Sequence, residues 1–125
     1  MTVINSRYKW NDTKVDVVEG LSYSYEANGT WKDWTIKCDA NGYFRFYLAL
    51  FCFLKRTRSA RWFQLVASID KQSTHTIVLG ISGHFVAPTT GRLWAYANDA
   101  PCAYGNNTGS IDLIIKPIKN GNLIG

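Results

Sequence analysis

Short runs that alternate apolar and polar residues recur along the chain, and the period of amphipathic helices is nearly absent. In Leu21–Tyr25 the odd positions are apolar or aromatic and the even positions are serines. Turn clusters such as Asn28-Gly29 and Asp39–Gly42 separate the runs. The predicted strands are Val15–Val18, Leu21–Tyr25, Thr30–Thr35, Arg61–Ile69, His75–Leu79, His84–Ala87, Gly91–Ala97 and Ser110–Lys116. This spacing is typical of an all-β sandwich, and Pro117 should end the last strand.

One segment departs from the alternation. Tyr43–Leu54 is almost entirely large and apolar, which predicts a strand buried on both faces or a subunit contact. It is shorter than the roughly 20 residues of a membrane helix and contains Arg45. The basic cluster Lys55–Arg61 follows it, and a solvated loop is its first interpretation, with anion binding as the alternative.

Composition sets broad limits on the class of protein. The 125 residues suit a single domain over 1–125, and 46% hydrophobic with 18% charged residues indicates a globular chain. A net charge of +5 permits weak contact with nucleic acid or anionic surfaces without specifying either. No secretion signal is recognisable, so synthesis in the cytoplasm is expected.

The three cysteines, Cys38, Cys52 and Cys102, form no Cys-x-x-Cys pair, which argues against zinc and thioredoxin-type chemistry. Free thiols in a reducing compartment are the simplest interpretation, and a Cys38–Cys52 bridge is the alternative. His75 and His84 lie in strand-like runs, and neither has a nearby Asp, Ser or Cys that matches a catalytic arrangement. Catalytic motifs and an obvious carboxylate pair are missing, so the sequence favours a binding protein over an enzyme.

The stretch Asn98–Gly109 carries the most distinctive chemistry. It concentrates one carboxylate and several Asn amides in a loop that Pro101 and Gly105 fold back on itself. Calcium takes 6–8 oxygen ligands, mixing carboxylate, amide and carbonyl groups on a curved backbone. The alternative is an Asx-rich turn whose side chains cap their own backbone.

The loop motif Asn98-Asp99-x-Pro101-x-x-Tyr104-Gly105-Asn106-Asn107-Thr108-Gly109-Ser110 resembles the LecA-type (PA-I-like) bacterial lectins, which bind galactose through calcium. Weaker similarity is carried by Ala27-x-Gly29, Trp31-x-Asp33-Trp34, Gln64–Ile69 and Val86-Ala-Pro88. The resemblance covers most of the chain and is poor from about Lys37 to Arg61.

The resemblance implies a jelly-roll-like β-sandwich of two antiparallel sheets, a homotetramer or other homo-oligomer, and no enzymatic activity. The implied calcium ligands are the carboxylate of Asp99, the side-chain oxygens of Asn106 and Asn107, and the main-chain carbonyls of Ala103 and Asp33. The implied sugar contacts are Asp99, Ala100, Ala103 and Asn106, around two vicinal hydroxyls that complete the calcium shell.

Two departures from the family pattern bear on the sugar. The family's His and Gln, which contact the hydroxymethyl group of galactose, have no counterpart in Tyr43–Leu54 or Lys55–Arg61. Cys102 replaces a small residue of the loop, either as a spacer or as a group that narrows the site. We therefore expect calcium-mediated glycan binding, with galactose as the first candidate, and release to the cell surface or beyond by a non-classical route.

Two alternatives stay open. In the first, calcium is a structural staple in an interaction domain, and Tyr43–Leu54 docks another protein. In the second, Lys55–Arg61 binds nucleic acid, with an affinity that falls steeply with salt and ignores calcium.

Overall fold

The computed structural model of the protein describes residues 1–43, 55–57, 59–99, 104–119 and 122–123. Within these ranges the chain forms eleven strands and a short 3-10 helix at Tyr104–Asn106. The strands are β1 (Thr2–Asn5), β2 (Asn11–Val17), β3 (Ser22–Asp33), β4 (Ile36–Cys38), β5 (Asn41–Tyr43), β6 (Trp62–Ile69), β7 (Thr76–Val78), β8 (Ser82–Val86), β9 (Gly91–Ala97), β10 (Asn107–Lys119) and β11 (Asn122–Leu123). None of the described residues belongs to a helix long and apolar enough to cross a membrane. Residues 44–54, most of the predicted apolar strand, lie outside the described ranges.

The strands form two antiparallel sheets. In the described part of the chain, the first sheet has six strands in the order β1-β10-β3-β4, with β11 beside β10 and β8 beside β3. The second has five strands in the order β2-β9-β6-β5, with β7 beside β6. The prediction of an all-β sandwich of two antiparallel sheets is confirmed.

The long ladder between β3 and β10 organises the first sheet. It runs from Asn107 opposite Asp33 to Ile118 opposite Ser22. The predicted turn at Asn28-Gly29 is wrong, because β3 continues through it. Gly29 has φ +115 and lies so close to β10 that an added Cβ would be 3.3 Å from the Ser110 carbonyl oxygen. Glycine at position 29 therefore allows β3 and β10 to approach each other closely.

The predicted end of the last strand at Pro117 is also wrong, since β10 extends to Lys119. Pro117 lies opposite Tyr23 of β3. On the other side of β10, the pairing with β1 ends at Thr2 opposite Leu113. Beyond that point β1 requires no N–H from β10, so proline is tolerated there as on an edge strand.

Apolar side chains between the sheets form the main core. Trp31 of β3 and Phe63 of β6 meet edge to face with ring centroids 5.7 Å apart. The Trp31 indole N–H also donates to the Phe63 carbonyl oxygen over 3.1 Å. Pairs of this kind add about 0.5–1.5 kcal/mol to the burial of their surface, so this contact fixes the two sheets against each other.

A second, smaller cluster covers the outer face of the second sheet. Val66 of β6 and Tyr96 of β9 are cross-strand partners, and Ala60 and the half-buried Trp10 pack on them. Arg56, Thr57 and Ala60 thus lie on the sheet. The interpretation of Lys55–Arg61 as a solvated loop is wrong for Arg56, whose guanidinium carbon is 3.5 Å from the Tyr96 ring centroid.

Candidate functional site

The candidate site lies where β3 ends and β10 begins. Asn107 is the first residue of β10 and follows directly on the 3-10 helix Tyr104–Asn106. Its cross-strand partner is Asp33, the last residue of β3. Because directly opposite residues of an antiparallel pair lie about 4.5–5.5 Å apart, the ladder brings together two positions that are distant in sequence.

Asn107 is fully buried, and only one end of its amide is engaged. Its Nδ2 donates to the Ser6 carbonyl oxygen over 2.9 Å. This bond fixes the amide orientation, since the reverse orientation would set two acceptors against each other. Its Oδ1 is buried and accepts no hydrogen bond from the described part of the chain. A buried acceptor without a donor costs about 1–3 kcal/mol, so its position suggests a ligand.

Tyr43 lies against the Asp33 carboxylate and is within reach of the charge of Asp99. Its hydroxyl donates to Asp33 Oδ2 over 2.5 Å. Burial, followed by the hydrogen bond and charge of Asp33 and then by the negative charge of Asp99, raises the pKa of Tyr43 well above its usual value. The hydroxyl therefore stays protonated and remains a donor, and Asp99 acts on the same phenol as Asp33.

Asp99 is almost completely buried, with 3% of its surface exposed. Its main-chain carbonyl oxygen accepts a hydrogen bond of 3.1 Å from the Arg56 amide. The neighbouring Tyr104 hydroxyl donates to the Ala97 carbonyl oxygen over 2.5 Å and accepts from Arg56 Nη1 over 3.0 Å. Burial raises the pKa of Tyr104 to about 12 against the opposing effect of Arg56, and the charge of Asp99 adds to the increase. Through these hydrogen bonds, Arg56 and Tyr104 position the main chain around Asp99.

Asn98 is as buried as Asn107, but both ends of its amide are engaged. Its Nδ2 donates to the carbonyl oxygens of Thr57, Ala60 and Arg61 over 2.9, 3.2 and 2.9 Å. Its Oδ1 accepts from the Thr57 amide over 2.8 Å. Asn98 therefore fastens Thr57, Ala60 and Arg61 of a distant segment, and it does not cap its own loop as the Asx-turn alternative predicts.

Of the predicted ligand residues, Asp33 and Asn107 are cross-strand partners at this end of the sandwich, and the charge of Asp99 acts on the Tyr43 hydroxyl that is hydrogen-bonded to Asp33. Asn106 is exposed and immediately precedes Asn107. Ala100 and Ala103 lie outside the described residues, as do Cys52 and Cys102. Cys38 is a free cysteine, and burial raises the pKa of its thiol to about 12.

The sequence did not point to Tyr43 or Ser6 as parts of the site. Tyr43 begins the apolar run and carries no polar neighbour that would mark it, while Ser6 precedes β2 in an unremarkable turn. The signal for Asn98 was stronger, because a polar amide directly follows the apolar strand Gly91–Ala97.

The donor set fits calcium better than a softer metal. Across the residues that the structure describes, no three His, Cys, Asp or Glu side chains are close enough to hold a metal. The site instead combines the carboxylate of Asp99, the unbonded amide oxygen of Asn107 and the Asp33 position. Hard oxygens of mixed type are the ligands that calcium prefers.

The described structure is thus an antiparallel β-sandwich with an oxygen-rich cluster at the end of its longest ladder. Neither a protein-family model nor a curated protein matches the sequence. Among solved structures, the chain is similar to the N-terminal domain of EclA, described as a PllA-like lectin. The TM-score is 0.70 and the identity 15%, and the match covers 92% of each chain. The sandwich implied by the resemblance in sequence is therefore confirmed as the fold of a PllA-like lectin domain.

Proposed function

We propose that the protein is a calcium-dependent lectin that binds a galactose-type sugar through two neighbouring hydroxyl groups. The observation that carries the proposal is the Asn107 Oδ1, which is buried without a hydrogen-bond partner among the described residues. It lies on the strand position opposite Asp33, in a cluster that also contains Asp99. A lectin-type fold around this cluster supports carbohydrate as the ligand.

Each residue of the cluster has a role in this proposal. Asp99, Asn106, Asn107 and the carbonyls of Ala103 and Asp33 hold the ion. Bound calcium supplies a positive centre whose exchangeable positions accept sugar hydroxyls. Asp99 and Asn106, with the Ala100 and Ala103 main chain, accept and donate hydrogen bonds to the same hydroxyls. The Tyr43 hydroxyl donates to the side chain of Asp33 and so fixes the orientation of the Asp33 carboxylate.

Trp34 offers an aromatic face beside the cluster. It follows Asp33 directly in the turn between β3 and β4, and 72% of its surface is exposed. Its φ of +56 is a left-handed conformation that bulky residues rarely adopt, because the Cβ then approaches the following carbonyl oxygen. Since the apolar face of a sugar ring packs well on an aromatic ring, we assign Trp34 to the rim of the sugar site.

Isothermal calorimetry tests the metal and the sugar separately. The parent protein should bind calcium at one site per chain and bind methyl galactoside only after calcium is present. The Asp99→Ala variant should lose both calcium binding and galactoside binding. The matched control is Asp112→Asn, which removes a carboxylate from the same β10 strand away from the cluster and should leave both intact. Calcium binding by Asp99→Ala as tight as in the parent contradicts the assignment.

A calcium-stabilised interaction domain without sugar binding is the second candidate, since the buried position of Asn107 also suits a structural metal. A glycan array read with calcium and again with chelator separates the two. Chelator-sensitive binding to galactosides supports the lectin. A blank array together with a melting temperature raised by calcium supports a purely structural calcium ion.

We also propose that the lectin works as a homo-oligomer. One ion and a few hydrogen bonds give modest affinity for a monosaccharide, and several sites in one assembly raise the avidity for a multivalent glycan. Sedimentation equilibrium measures the number of chains, and a purely monomeric protein would contradict this part of the proposal.

A further inference from the structure

A cavity of about 330 Å³ opens on the outer face of the second sheet, away from the proposed calcium ligands Asp99 and Asn107. Ser68 of β6 and its cross-strand partner Thr76 of β7 both line the cavity. Arg56 forms one wall, and the turn that carries Lys71 forms another. Small-molecule sites span roughly 300–1,000 Å³, so the cavity suits a ligand of monosaccharide size.

The two cations of the cavity have no carboxylate partner in the described part of the chain. The ion pairs found there both belong to Arg92. The Lys71 ammonium lies 4.1 Å from the Trp94 ring centroid. Among the described residues that line the cavity there is no Asp or Glu. The cavity therefore keeps two positive charges that no side-chain carboxylate of its lining neutralises.

Arg56 is held in place before any ligand arrives. Its guanidinium carbon is 4.3 Å from the Trp10 ring centroid and 3.5 Å from that of Tyr96. Its Nη1 donates to the carbonyl oxygen of Lys9 over 2.6 Å. Aromatic rings and a neutral carbonyl stabilise the cation without cancelling its charge. Because its rotamer is fixed, little conformational entropy is lost when it binds an anion.

Hydroxyl groups complete the lining. Ser68 Oγ donates to the Gln72 carbonyl oxygen and Thr76 Oγ1 to that of Ser73, over 2.7 and 2.9 Å. The side chains of Ser59 and Ser73 make no hydrogen bond with the described residues, so their hydroxyls are available to a ligand. A hydroxyl donates or accepts by rotation, which suits both an anionic oxygen and a sugar hydroxyl.

We propose that this cavity is a second binding site, for a sugar that carries a phosphate or sulfate group. Arg56 and Lys71 take the anionic group, and the serine and threonine hydroxyls take the oxygens of the sugar. The site is independent of calcium and of the lectin function proposed above. It also gives a role to Arg56, one cation of the basic cluster Lys55–Arg61, because Arg56 lines the cavity.

The test uses NMR titration and calorimetry in buffer freed of calcium on a chelating resin. The probes are galactose 6-phosphate, galactose 6-sulfate, galactose and inorganic phosphate. We expect saturable binding of the two esters, with shifts of the amides of Ser59, Ser73 and Lys71, and no binding of galactose. Weaker binding of inorganic phosphate than of the esters shows that the sugar contributes, whereas equal binding would reduce the site to one for free anions and overturn the proposal.

Lys71→Asn is the decisive variant. Lys71 has φ +61, which Asn tolerates, so the substitution removes the charge and leaves the turn intact. Loss of one cation at the rim should weaken ester binding about tenfold. The matched control is Lys14→Asn, because Lys14 is exposed, has φ +62 and lies outside the cavity lining.

Equal weakening by both lysine variants would mean that net charge alone attracts the ligand, and would overturn the proposal. Tighter binding of a single-stranded oligonucleotide than of either ester would also overturn the proposal. It would favour the hypothesis that Lys55–Arg61 binds nucleic acid. Asp99→Ala should keep full affinity for the esters, so a failure of the calcium site and a failure of this one are distinguishable.

Discussion

Asn107→Leu tests whether the buried amide oxygen of Asn107 is a calcium ligand. Leucine is close to asparagine in volume and has no polar atoms, so the substitution creates little cavity. It removes the unbonded Oδ1 and also the hydrogen bond from Nδ2 to the Ser6 carbonyl oxygen. The Ser6 carbonyl then becomes the unpaired group.

The two effects nearly cancel in the calcium-free protein. Removing an unpaired buried acceptor gains about 1–3 kcal/mol, and leaving the Ser6 carbonyl without its donor costs about the same. The free energy of unfolding should therefore change by less than about 1 kcal/mol without calcium. With calcium at 100 times its dissociation constant, the parent gains about 2.7 kcal/mol, or about 10 °C in melting temperature, and Asn107→Leu should gain almost nothing.

Urea unfolding followed by tryptophan fluorescence, with and without calcium, measures all four free energies. The expected pattern is equal stability of parent and variant without calcium and a calcium-dependent gain in the parent alone. A variant that gains as much from calcium as the parent would refute the role of Asn107. A calcium-free variant less stable by several kcal/mol would show instead that the Asn107 amide is an ordinary structural group.

Three further variants probe the surroundings of the cluster. Asn98→Leu should destabilise the protein by about 1–3 kcal/mol in urea unfolding with or without calcium, because the Thr57 amide loses its acceptor and three carbonyls each lose one of their donors. Gly42→Ala should cost about 3 kcal/mol in the same assay, because Gly42 has φ +72 and an added Cβ would be 2.4 Å from the Trp62 carbonyl oxygen. Trp34→Asn should raise stability by about 1 kcal/mol by relieving the left-handed backbone, keep calcium affinity and weaken galactoside binding about tenfold in calorimetry.

Each of these results has a contrary outcome with a definite meaning. Asn98→Leu as stable as the parent would show that the segment 57–61 is not fastened by that amide. A neutral Gly42→Ala would mean that β5 can move away from β6 at no cost. Unchanged sugar affinity in Trp34→Asn would remove the aromatic face from the site and leave its exposure without a role.

Local alternation predicted the strands well where one face is buried. The predicted strand Gly91–Ala97 has the bounds of β9, since its inward residues Leu93, Ala95 and Ala97 alternate with Trp94 and Tyr96 on the outer face. The failures at Asn28-Gly29 and Pro117 have one cause. Turn residues signal a break in the chain, but the long ladder of β3 with β10 supplies enough pairing to continue through both.

The proposed ligand residues Asp99, Asn106 and Asn107 share one loop motif, but the sequence does not predict the contacts of each asparagine in that motif. Asn98 and Asn107 belong to the same loop motif and are equally buried, yet only the contacts reveal their different roles. Asn98 meets the carbonyls of residues 57–61, whereas Asn107 meets only the Ser6 carbonyl. No feature of the sequence records which carbonyls a distant segment will present.

The alternation of apolar residues was enough to predict the sandwich, because it depends on neighbours two positions apart. The oxygen-rich loop was also visible in the sequence, because its polar residues are contiguous. The sequence did not reveal that Asp33 lies opposite Asn107, that Tyr43 is hydrogen-bonded to Asp33, or that Arg56 borders a cavity lined by hydroxyls. Those contacts join residues far apart in the chain, and they exist only once the β3–β10 register and the packing of Arg56 and Ala60 on the second sheet are established.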